Sequence, residues 1–372
     1  MNLTYLEECQ CDPVLSISSW TVNPKQRNFT QMKNRKIKSI LIIFTGLGCV
    51  GVIVFVLYLL FSLVKLFKTS NTPTVKYFKF DVSPDGNTII FPGVGNGIQD
   101  LYLYDKSRSK VTRLTNTPTL EAYPHYTHDG KGIIFSRSQS AGYPFHLALF
   151  NLKDNSTSAI TDESEYSDYF PTPTKDDKRI VFARASTYRN YSLGGKTWDN
   201  YDLFVVDRDG ANLQQITTEH FRQITSIAIS ADGKNIYFAG EKASYPKIAN
   251  DWYEVSLSKP YKLKVVLNMA DGGEVAVNST SGAIAYVSDS RTQYNFDLTT
   301  RTARNARDVP ANISINARDI ENIVYAKDGM IYFTSGFEGG FQPIKAHLMQ
   351  YDPVTKKATK IIDSKMFDNP LK

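Results

Sequence analysis

The sequence predicts an all-β protein: a six-bladed β-propeller preceded by a single transmembrane α-helix. Three observations support this. A strand–turn–strand pattern recurs six times, one long apolar run carries no charge, and 12% of the 372 residues are aromatic, with 22 Tyr and 21 Phe. Aromatic residues favour strands over helices. With 42% hydrophobic residues and a net charge of +6, the composition excludes a disordered or collagen-like chain.

The membrane span is predicted at Ser39–Val64, a run of 26 residues without a charged side chain. About 20 apolar residues suffice to cross the hydrocarbon core. A buried core helix, a cleaved signal peptide and a lipoprotein site at Cys49 are the alternatives, and the length and late start of the run count against them. Basic residues are denser before the span, so a cytoplasmic N-terminus and a periplasmic or extracellular remainder are predicted.

The span divides the chain into unequal parts. Residues 1–38 are predicted to be a cytoplasmic, mostly disordered tail, in which Cys9 and Cys11 are too few for a zinc ligand set. Residues 65–74 form a tether, 75–363 the propeller and 364–372 a C-terminal tail. The last repeat contains all four of its strands, so the ring is predicted to close without a strand from the N-terminal end.

Each repeat joins a turn of the Asp-Gly type to an apolar strand that ends in an aromatic residue. Asp-Gly supplies the left-handed backbone of a tight hairpin. The next strand, such as Asp100–Asp105, alternates Leu with Tyr and can bury both faces. A β-sandwich or a β-solenoid would show a shorter repeat or none. The strand-end aromatic residues recur 44 to 56 residues apart, as in propeller blades, at Phe91, Phe135, Phe182, Phe238, Tyr286 and Phe333.

Two segments carry a family resemblance. Ser83-Pro84-Asp85-Gly86 with the following Ile-Ile-Phe, and the segment from Tyr201 to Thr217, resemble the WD-like repeats of the TolB propeller family. The resemblance covers about residues 75–363. The chain departs from that family because a predicted membrane span stands where TolB has a small α/β domain. The resemblance implies the fold and, more loosely, a role in an envelope-associated assembly.

Candidate catalytic and metal-binding residues are few. Asn190–Gly194 has Asn where a nucleophile elbow needs Gly, and the five histidines lack metal-ligand spacing. The acidic residues of 162–168 lack the spacing of a calcium loop and are interpreted as a solvated loop. The sequence therefore predicts no catalytic residue, metal ion or cofactor. Asp81 and His125 hold equivalent places on innermost strands and are predicted to line the channel, as a polar wall or as ligand-binding or catalytic residues.

A binding surface is predicted on the loops that follow the second strand of each blade. In a four-stranded meander these loops emerge on one face of the ring, and several of them are long, at about 136–145, 183–200, 240–251 and 335–346. Exposed aromatic and Arg side chains dominate contact surfaces, although the same aromatics could instead pack onto the rim. The candidate residues are Tyr143, Phe145, Tyr188, Arg189, Tyr191, Trp198, Tyr245, Trp252, Phe337 and Phe341.

The predicted function is that of a signal-anchored, single-pass membrane protein whose propeller holds another protein, or an envelope glycan, near the membrane. Nucleic acid is not expected as a partner, because the chain beyond the span carries only +3 and has no basic stripe. The alternative is a propeller enzyme, a lyase or hydrolase acting on a saccharide or peptide at the channel mouth. Several titratable groups around one pocket would favour the enzyme, and a broad aromatic face without them would favour the binding module.

Overall fold

The computed structural model describes residues 79–95, 98–140, 143–162, 165–190, 196–242, 250–267, 274–290, 295–301, 311–313, 321–335 and 347–362, all within the unit Ser70–Lys372. They form six four-stranded antiparallel sheets, each with its strands in chain order. Within these ranges no helix is long and apolar enough to cross a membrane. The predicted span at 39–64, the tail before it, the tether and the C-terminal tail all lie outside the described residues.

The first three sheets come from the N-terminal half of the propeller. The first contains β1 (Asp81–Val82), β2 (Thr88–Gly95), β3 (Ile98–Asp105) and β4 (Lys110–Arg113). The second contains β5 (Leu120–Tyr126), β6 (Gly132–Ser138), β7 (His146–Asn151) and β8 (Thr157–Ala159). The third contains β9 (Ser167–Pro173), β10 (Arg179–Asn190), β11 (Lys196–Asp207) and β12 (Gln214–Gln215).

The remaining sheets follow in the same order. The fourth contains β13 (Gln223–Ile229), β14 (Asn235–Glu241), β15 (Asn250–Ser256) and β16 (Lys264–Leu267). The fifth contains β17 (Val275–Val277), β18 (Ile284–Ser290), β19 (Asn295–Arg301) and β20 (Ala311–Ile313). The sixth contains β21 (Glu321–Tyr325), β22 (Ile331–Ser335), β23 (His347–Asp352) and β24 (Lys357–Ile362), so its four strands all come from the C-terminal segment.

Alternate residues of the second strands bury both faces of the sheets. In β2, Ile89 and Phe91 join a core cluster with residues of the sixth sheet, whereas Ile90 joins a cluster with the second sheet. Further clusters join the second sheet to the third, the third to the fourth, the fourth to the fifth and the fifth to the sixth. The clusters therefore form a closed cycle. One such sheet cannot bury both of its faces alone, and here each sheet packs between two others. The prediction of an all-β propeller is therefore confirmed.

The Asp-Gly turns join first to second strands as the sequence predicts. Gly86 has a φ of 74°, a conformation that favours glycine. The Ser83 hydroxyl donates to Asp85 Oδ1 at 2.6 Å, and the Asn87 amide donates to the same oxygen at 3.0 Å. These hydrogen bonds hold the pKa of Asp85 below its usual value. The turn is thus closed by side-chain contacts as well as by backbone geometry.

Buried threonine–carboxylate contacts link neighbouring sheets. The Thr115 hydroxyl accepts from the Leu101 amide at 2.9 Å and donates to Glu121 at the start of the next sheet. Thr161 repeats the arrangement by donating to Asp168 at 2.7 Å. Burial raises the pKa of both carboxyl groups, although the hydroxyl hydrogen bonds oppose that shift. The hydrophobic-Thr endings of the first and second repeats therefore have a structural role between sheets.

Candidate functional site

The first strands of all six sheets line one cavity of about 200 Å³. Strand register makes six of its residues equivalent, since each pairs with the middle residue of the apolar triplet on the second strand. They are Asp81, His125, Thr172, Ala228, Ala276 and Val324. The lining residues two positions earlier form a second group, here called the mouth tier, made of Lys79, Tyr123, Phe170, Ser226, Glu274 and Asn322.

Two aromatic side chains of the mouth tier meet at the channel. Tyr123 and Phe170 both have a φ of 54°, and each precedes a proline. At these positions a β-bulge interrupts the pairing of β5 with β6 and of β9 with β10. Left-handed backbone costs roughly 1–2 kcal/mol per non-glycine residue. The bulges place the two rings edge to face, with centroids 4.6 Å apart.

An ion pair of the mouth tier connects non-adjacent sheets. The Lys79 ammonium, just before β1, pairs with Glu274, just before β17 of the fifth sheet. The same ammonium lies 5.4 Å from the centroid of the Phe170 ring on the third sheet. Glu274 Oε2 also accepts from the amide of Ile323 on the sixth sheet at 3.0 Å. Lys79 therefore reaches from the first sheet toward the third and fifth, and partly covers the cavity.

A second ion pair lies deeper in the cavity. His125 Nδ1 is 2.9 Å from Asp81 Oδ2, which also accepts the Tyr126 amide at 2.8 Å. Burial disfavours the charged imidazole, but the Asp81 charge and hydrogen bond outweigh it and raise the pKa of His125. The His125 side chain is 35% exposed. With Nδ1 turned to the carboxylate, Nε2 is the nitrogen positioned to meet a ligand in the cavity.

The loops between second and third strands define one side of the propeller, here called the loop face. Antiparallel strands alternate in direction, so the beginning of every first strand lies on that same side. The mouth tier therefore opens onto the loop face, whereas the Asp-Gly turns lie on the opposite side. The loop face brings the channel and the predicted contact residues together.

One of these loops is a long β-hairpin. β10 pairs with β11 along its whole length, from the pair Arg179 with Asp207 to the pair Asn190 with Lys196. In contrast, β9 pairs with β10 only as far as Ala185. The last five residues of β10 thus extend beyond the sheet by about 16 Å, at ~3.3 Å per residue. The prediction of a loop at 183–200 is wrong for residues 183–190 and 196–200, which belong to β10 and β11. Cross-strand pairs of β-branched and aromatic residues continue the ladder there.

The hairpin carries three of the predicted contact residues. Tyr188 and Trp198 are direct cross-strand partners, with ring centroids 5.1 Å apart, and Tyr188 is 40% exposed. Arg189 pairs with Asp199 at 3.2 Å on the other face of the ribbon. Aromatic cross-strand pairs stabilise hairpins by about 0.2–1 kcal/mol, so the exposed rings also support the ribbon that presents them.

Aromatic side chains connect the rim of the loop face to the channel mouth. Tyr143 is 57% exposed. Phe145 lies 5.5 Å from Tyr169 and 6.2 Å from Tyr123, centroid to centroid. Tyr169 in turn lies 5.7 Å from Tyr201 at the base of the hairpin. These ring contacts form an aromatic cluster between the second and third sheets, with Tyr169 buried at its centre.

Trp252 is buried, unlike the hairpin residues. It is 2% exposed and packs between the fourth and fifth sheets, with its ring 5.6 Å from Tyr237 and 5.8 Å from Tyr286. A residue in this position cannot meet a partner, so Trp252 does not belong to the contact surface. Four other predicted contact residues lie outside the described residues: Tyr191, Tyr245, Phe337 and Phe341.

Sequence reasoning missed the mouth tier. Lys79, Glu274, Tyr123 and Phe170 were not among the predicted site residues. A signal was available, because each residue lies two positions before the one that aligns with Asp81. Their contacts depend on closure of the ring, which no single repeat contains.

The acidic residues after β8 do not form one solvated loop. Asp168 is fully buried and accepts from Arg184 Nε at 2.7 Å and from its terminal nitrogen at 3.0 Å. The prediction of a solvated position is therefore wrong for Asp168, because a buried carboxylate needs a paired cation. Across the described ranges, no group of three or more His, Cys, Asp or Glu side chains is arranged to hold a metal ion.

Comparison with known proteins places this geometry among propellers. No protein-family model matches the chain. Over 139 residues, 36% of this chain and 44% of the relative, it is 31% identical to an uncharacterized protein of Agrobacterium fabrum. Over 160 residues, 42% of this chain and 35% of the relative, it is 26% identical to the Tol-Pal system protein TolB of Helicobacter pylori. The chain thus spans less than half the length of these curated relatives.

Solved structures agree on the fold. TolB from Acinetobacter baumannii superposes with a TM-score of 0.55 at 12% identity, covering 76% of this chain and 62% of that one. An oligogalacturonate lyase from Vibrio parahaemolyticus superposes with a TM-score of 0.55 at 15% identity, covering 78% and 79%. At these identities the likeness shows the fold alone, and the fold hosts both binding proteins and enzymes.

Proposed function

We propose, from the premise that the chain carries a TolB-like β-propeller, that it is a membrane-anchored binding module. In this proposal residues 39–64 span the membrane once with the N-terminus in the cytoplasm. The six sheets act as blades of one ring in the periplasm or outside the cell, on the tether 65–74. The ring holds another protein, or an envelope glycan, close to the membrane through its loop face.

The observation that carries the proposal is the β10–β11 hairpin. It extends past its own sheet and presents Tyr188 and Trp198 as a pair of contacting rings, with Tyr188 40% exposed. Rigid aromatic rings lose little conformational entropy on binding and bury a large area, which makes them frequent interface hot spots. Arg189, with 62% of its side chain exposed, adds a cation on the other face of the ribbon.

The contact surface is proposed to be smaller than the sequence pattern suggests. It contains Tyr143, Phe145, Tyr188, Arg189 and Trp198, which lie on the loop face of the second and third sheets. Tyr191 lies outside the described residues and stays in the proposal on sequence grounds, because it follows β10 directly in the chain. Tyr245, Phe337 and Phe341 stay predictions for the loops of the fourth and sixth sheets.

A paired capture experiment tests this function. The tagged full chain and the double variant Tyr188→Ala/Trp198→Ala are purified from membranes, and the co-purifying proteins and glycans are quantified by mass spectrometry. A genuine partner is expected to be depleted at least about tenfold with the double variant, the equivalent of ~1.4 kcal/mol. Val354→Ala provides the control, because Val354 is 88% exposed in the β23–β24 turn, away from the loop face.

Two outcomes would contradict the proposal. One is equal capture by the wild type, the double variant and the control. The other is a large loss of thermal stability in the double variant, which would mean that the rings serve packing. The proposed membrane orientation has a separate test. If a protease added outside intact cells cleaves the N-terminal tail, the orientation is contradicted.

The second candidate function is a propeller enzyme, a lyase or hydrolase acting on a saccharide or peptide. The observation that favours it is the pairing of Asp81 with His125 beside Lys79 and Glu274 around one cavity. A carboxylate that holds an imidazole by Nδ1 orients Nε2 for proton transfer. Turnover of a saccharide and peptide panel that disappears in His125→Gln would support this candidate, and absence of turnover by the wild-type chain would remove it.

A further inference from the structure

We propose that the channel cavity binds a small organic monocarboxylate, with its carboxylate held by Lys79 and His125 and its body against the Tyr123–Phe170 wall. This site is separate from the hairpin surface, and the proposal requires neither the partner nor the turnover proposed above. It rests on the balance of charge, the hydrogen-bond donors, the aromatic wall and the size of the cavity.

Cations face the cavity more openly than the carboxylates that pair with them. The side chain of Lys79 is 24% exposed and that of Glu274 is 15% exposed. The contrast is larger for His125, at 35%, and Asp81, at 9%. The described lining residues include two acids, Asp81 and Glu274, against Lys79, Lys327 and His125. A ligand in the cavity therefore meets positive groups before negative ones.

The hydrogen-bonding groups of the cavity also favour a negatively charged ligand. Glu274 uses one oxygen on Lys79 and the other on the Ile323 amide. Asp81 Oδ2 accepts from both His125 and the Tyr126 amide. An ammonium group has three N–H donors and a protonated imidazole has two, so Lys79 and His125 retain donors after making these pairs. A carboxylate supplies the acceptors that such donors need.

The wall chemistry favours a carboxylate with a flat or apolar body over an inorganic anion. Tyr123 and Phe170 form one side of the mouth tier, and Ile227, Val275 and Ile323 also line the cavity. Phosphate sites typically use the planar fork of arginine or free backbone amides at a helix N-terminus. The described lining contains no arginine and no helix.

The size of the cavity agrees with this ligand class. A volume of about 200 Å³ exceeds the share of one water in the liquid, ~30 Å³, several times. The space suits a single ring with one anionic group. It is small compared with the ~300–1,000 Å³ of drug-sized sites, so a long oligomer would have to extend past the mouth tier.

Calorimetry on the full chain with benzoate as the probe tests the inference. Benzyl alcohol is the matched neutral probe, because it has the same ring without the charge. Benzoate is expected to bind at least about tenfold more tightly than benzyl alcohol, a difference of ~1.4 kcal/mol. Equal affinity of the two probes, or absence of heat from both at millimolar concentration, overturns the proposal.

Variants assign the carboxylate to its two cations. Lys79→Met and His125→Gln are each expected to weaken benzoate binding at least about tenfold while benzyl alcohol binding changes little. Lys242→Met is the control: Lys242 is an exposed loop-face lysine outside the cavity lining. Unchanged benzoate affinity in both cavity variants contradicts the assignment, and melting curves show whether each variant remains folded.

The pH dependence of binding gives an independent readout. His125 faces Asp81 on β1 and, farther away, Asp177 after β9, while Lys79 and Glu274 lie in the mouth tier above it. Benzoate affinity in the wild type is expected to fall as the pH rises and the imidazole loses its proton. This fall should be absent from His125→Gln, and a profile that is identical in the two proteins contradicts the role of His125. The comparison also separates His125 from His128, which pairs with Asp177 at 3.1 Å.

Discussion

The channel wall and the β10–β11 hairpin use similar side chains in opposite surroundings. Each has an aromatic pair, Tyr123 with Phe170 or Tyr188 with Trp198, beside a cation and a carboxylate. In the wall the cation Lys79 is 24% exposed, whereas on the hairpin Arg189 is 62% exposed.

The difference shows what enclosure adds. Inside the ring, six first strands hold the groups in place and reduce their exposure to water, which strengthens electrostatic selection of a small ligand. On the ribbon the same groups are solvated, so their charge contributes little and their aromatic area dominates. One region therefore suits a small charged ligand, and the other suits a macromolecular surface.

The largest expected effect lies at the base of the hairpin, where two Arg–Asp pairs occur within one strand. Arg184 is 3% exposed and pairs with the buried Asp168, whereas Arg189 is solvated. Arg184→Met leaves an uncompensated buried carboxylate and should lower the free energy of unfolding by about 3–5 kcal/mol. Arg189→Met should lower it by less than about 1 kcal/mol. Urea denaturation of both variants measures the contrast, and equal losses would show that burial does not distinguish the pairs.

A smaller effect is expected at Glu121, which supports the strand that carries Tyr123. Burial raises the pKa of Glu121 in the folded protein, so the folded state binds more protons than the unfolded state above about pH 4.3. The contribution of this group to stability is therefore lost as the pH rises through the folded pKa. Glu121→Gln keeps an acceptor for Thr115 but cannot titrate, and should gain stability relative to wild type as the pH is raised from about 4.3 to neutral. Melting temperatures measured across that range test the sign, with the exposed Glu219→Gln as control.

The contribution of His125 to stability should also fall as the pH rises, but it arises from an ion pair and not from burial of a neutral acid. Its pKa is raised in the folded protein, despite burial, by the charge and hydrogen bond of Asp81. The stabilisation it provides is complete below about pH 6.5 and is lost as the pH rises through the folded pKa. In Asp81→Asn the NMR titration midpoint of His125 should move down, and the stability advantage of wild type over this variant should shrink toward alkaline pH. An unchanged midpoint would show that Asp81 does not control the imidazole.

The smallest effect on stability is expected at the tip of the hairpin. Tyr188→Ala removes a half-exposed ring from a single cross-strand pair and should cost less than about 1 kcal/mol. Trp252→Ala is the contrasting variant, because Trp252 is buried between two sheets and its loss should cost about 3–5 kcal/mol. Thermal melts of the two variants compare them directly. Similar costs would mean that the hairpin is part of the core.

Several features of the fold could be predicted because they are local. Asp85-Gly86 forms its turn, and the Ile89–Phe91 triplet packs alternately toward two neighbours, as strand periodicity requires. The 183–200 segment shows the limit of such reasoning. Its Tyr, Trp and Arg residues were predicted to lie on a loop, but Tyr188 and Trp198 are cross-strand partners and extend the β-ladder. Pairing between two short segments depends on both partners, and neither segment reveals it alone.

The sequence by itself determined the repeat, its turns, the sheets they form and the apolar run at 39–64, because each depends on residues close together in the chain. Only the tertiary structure decided that Lys79 reaches Glu274, that Asp81 holds His125, and that Trp252 is buried while Tyr188 is exposed. The two ion pairs and the burial of Trp252 depend on residues from different sheets. Their geometry exists only once the sheets have packed in a closed cycle, so the channel wall is a property of the ring and not of any repeat.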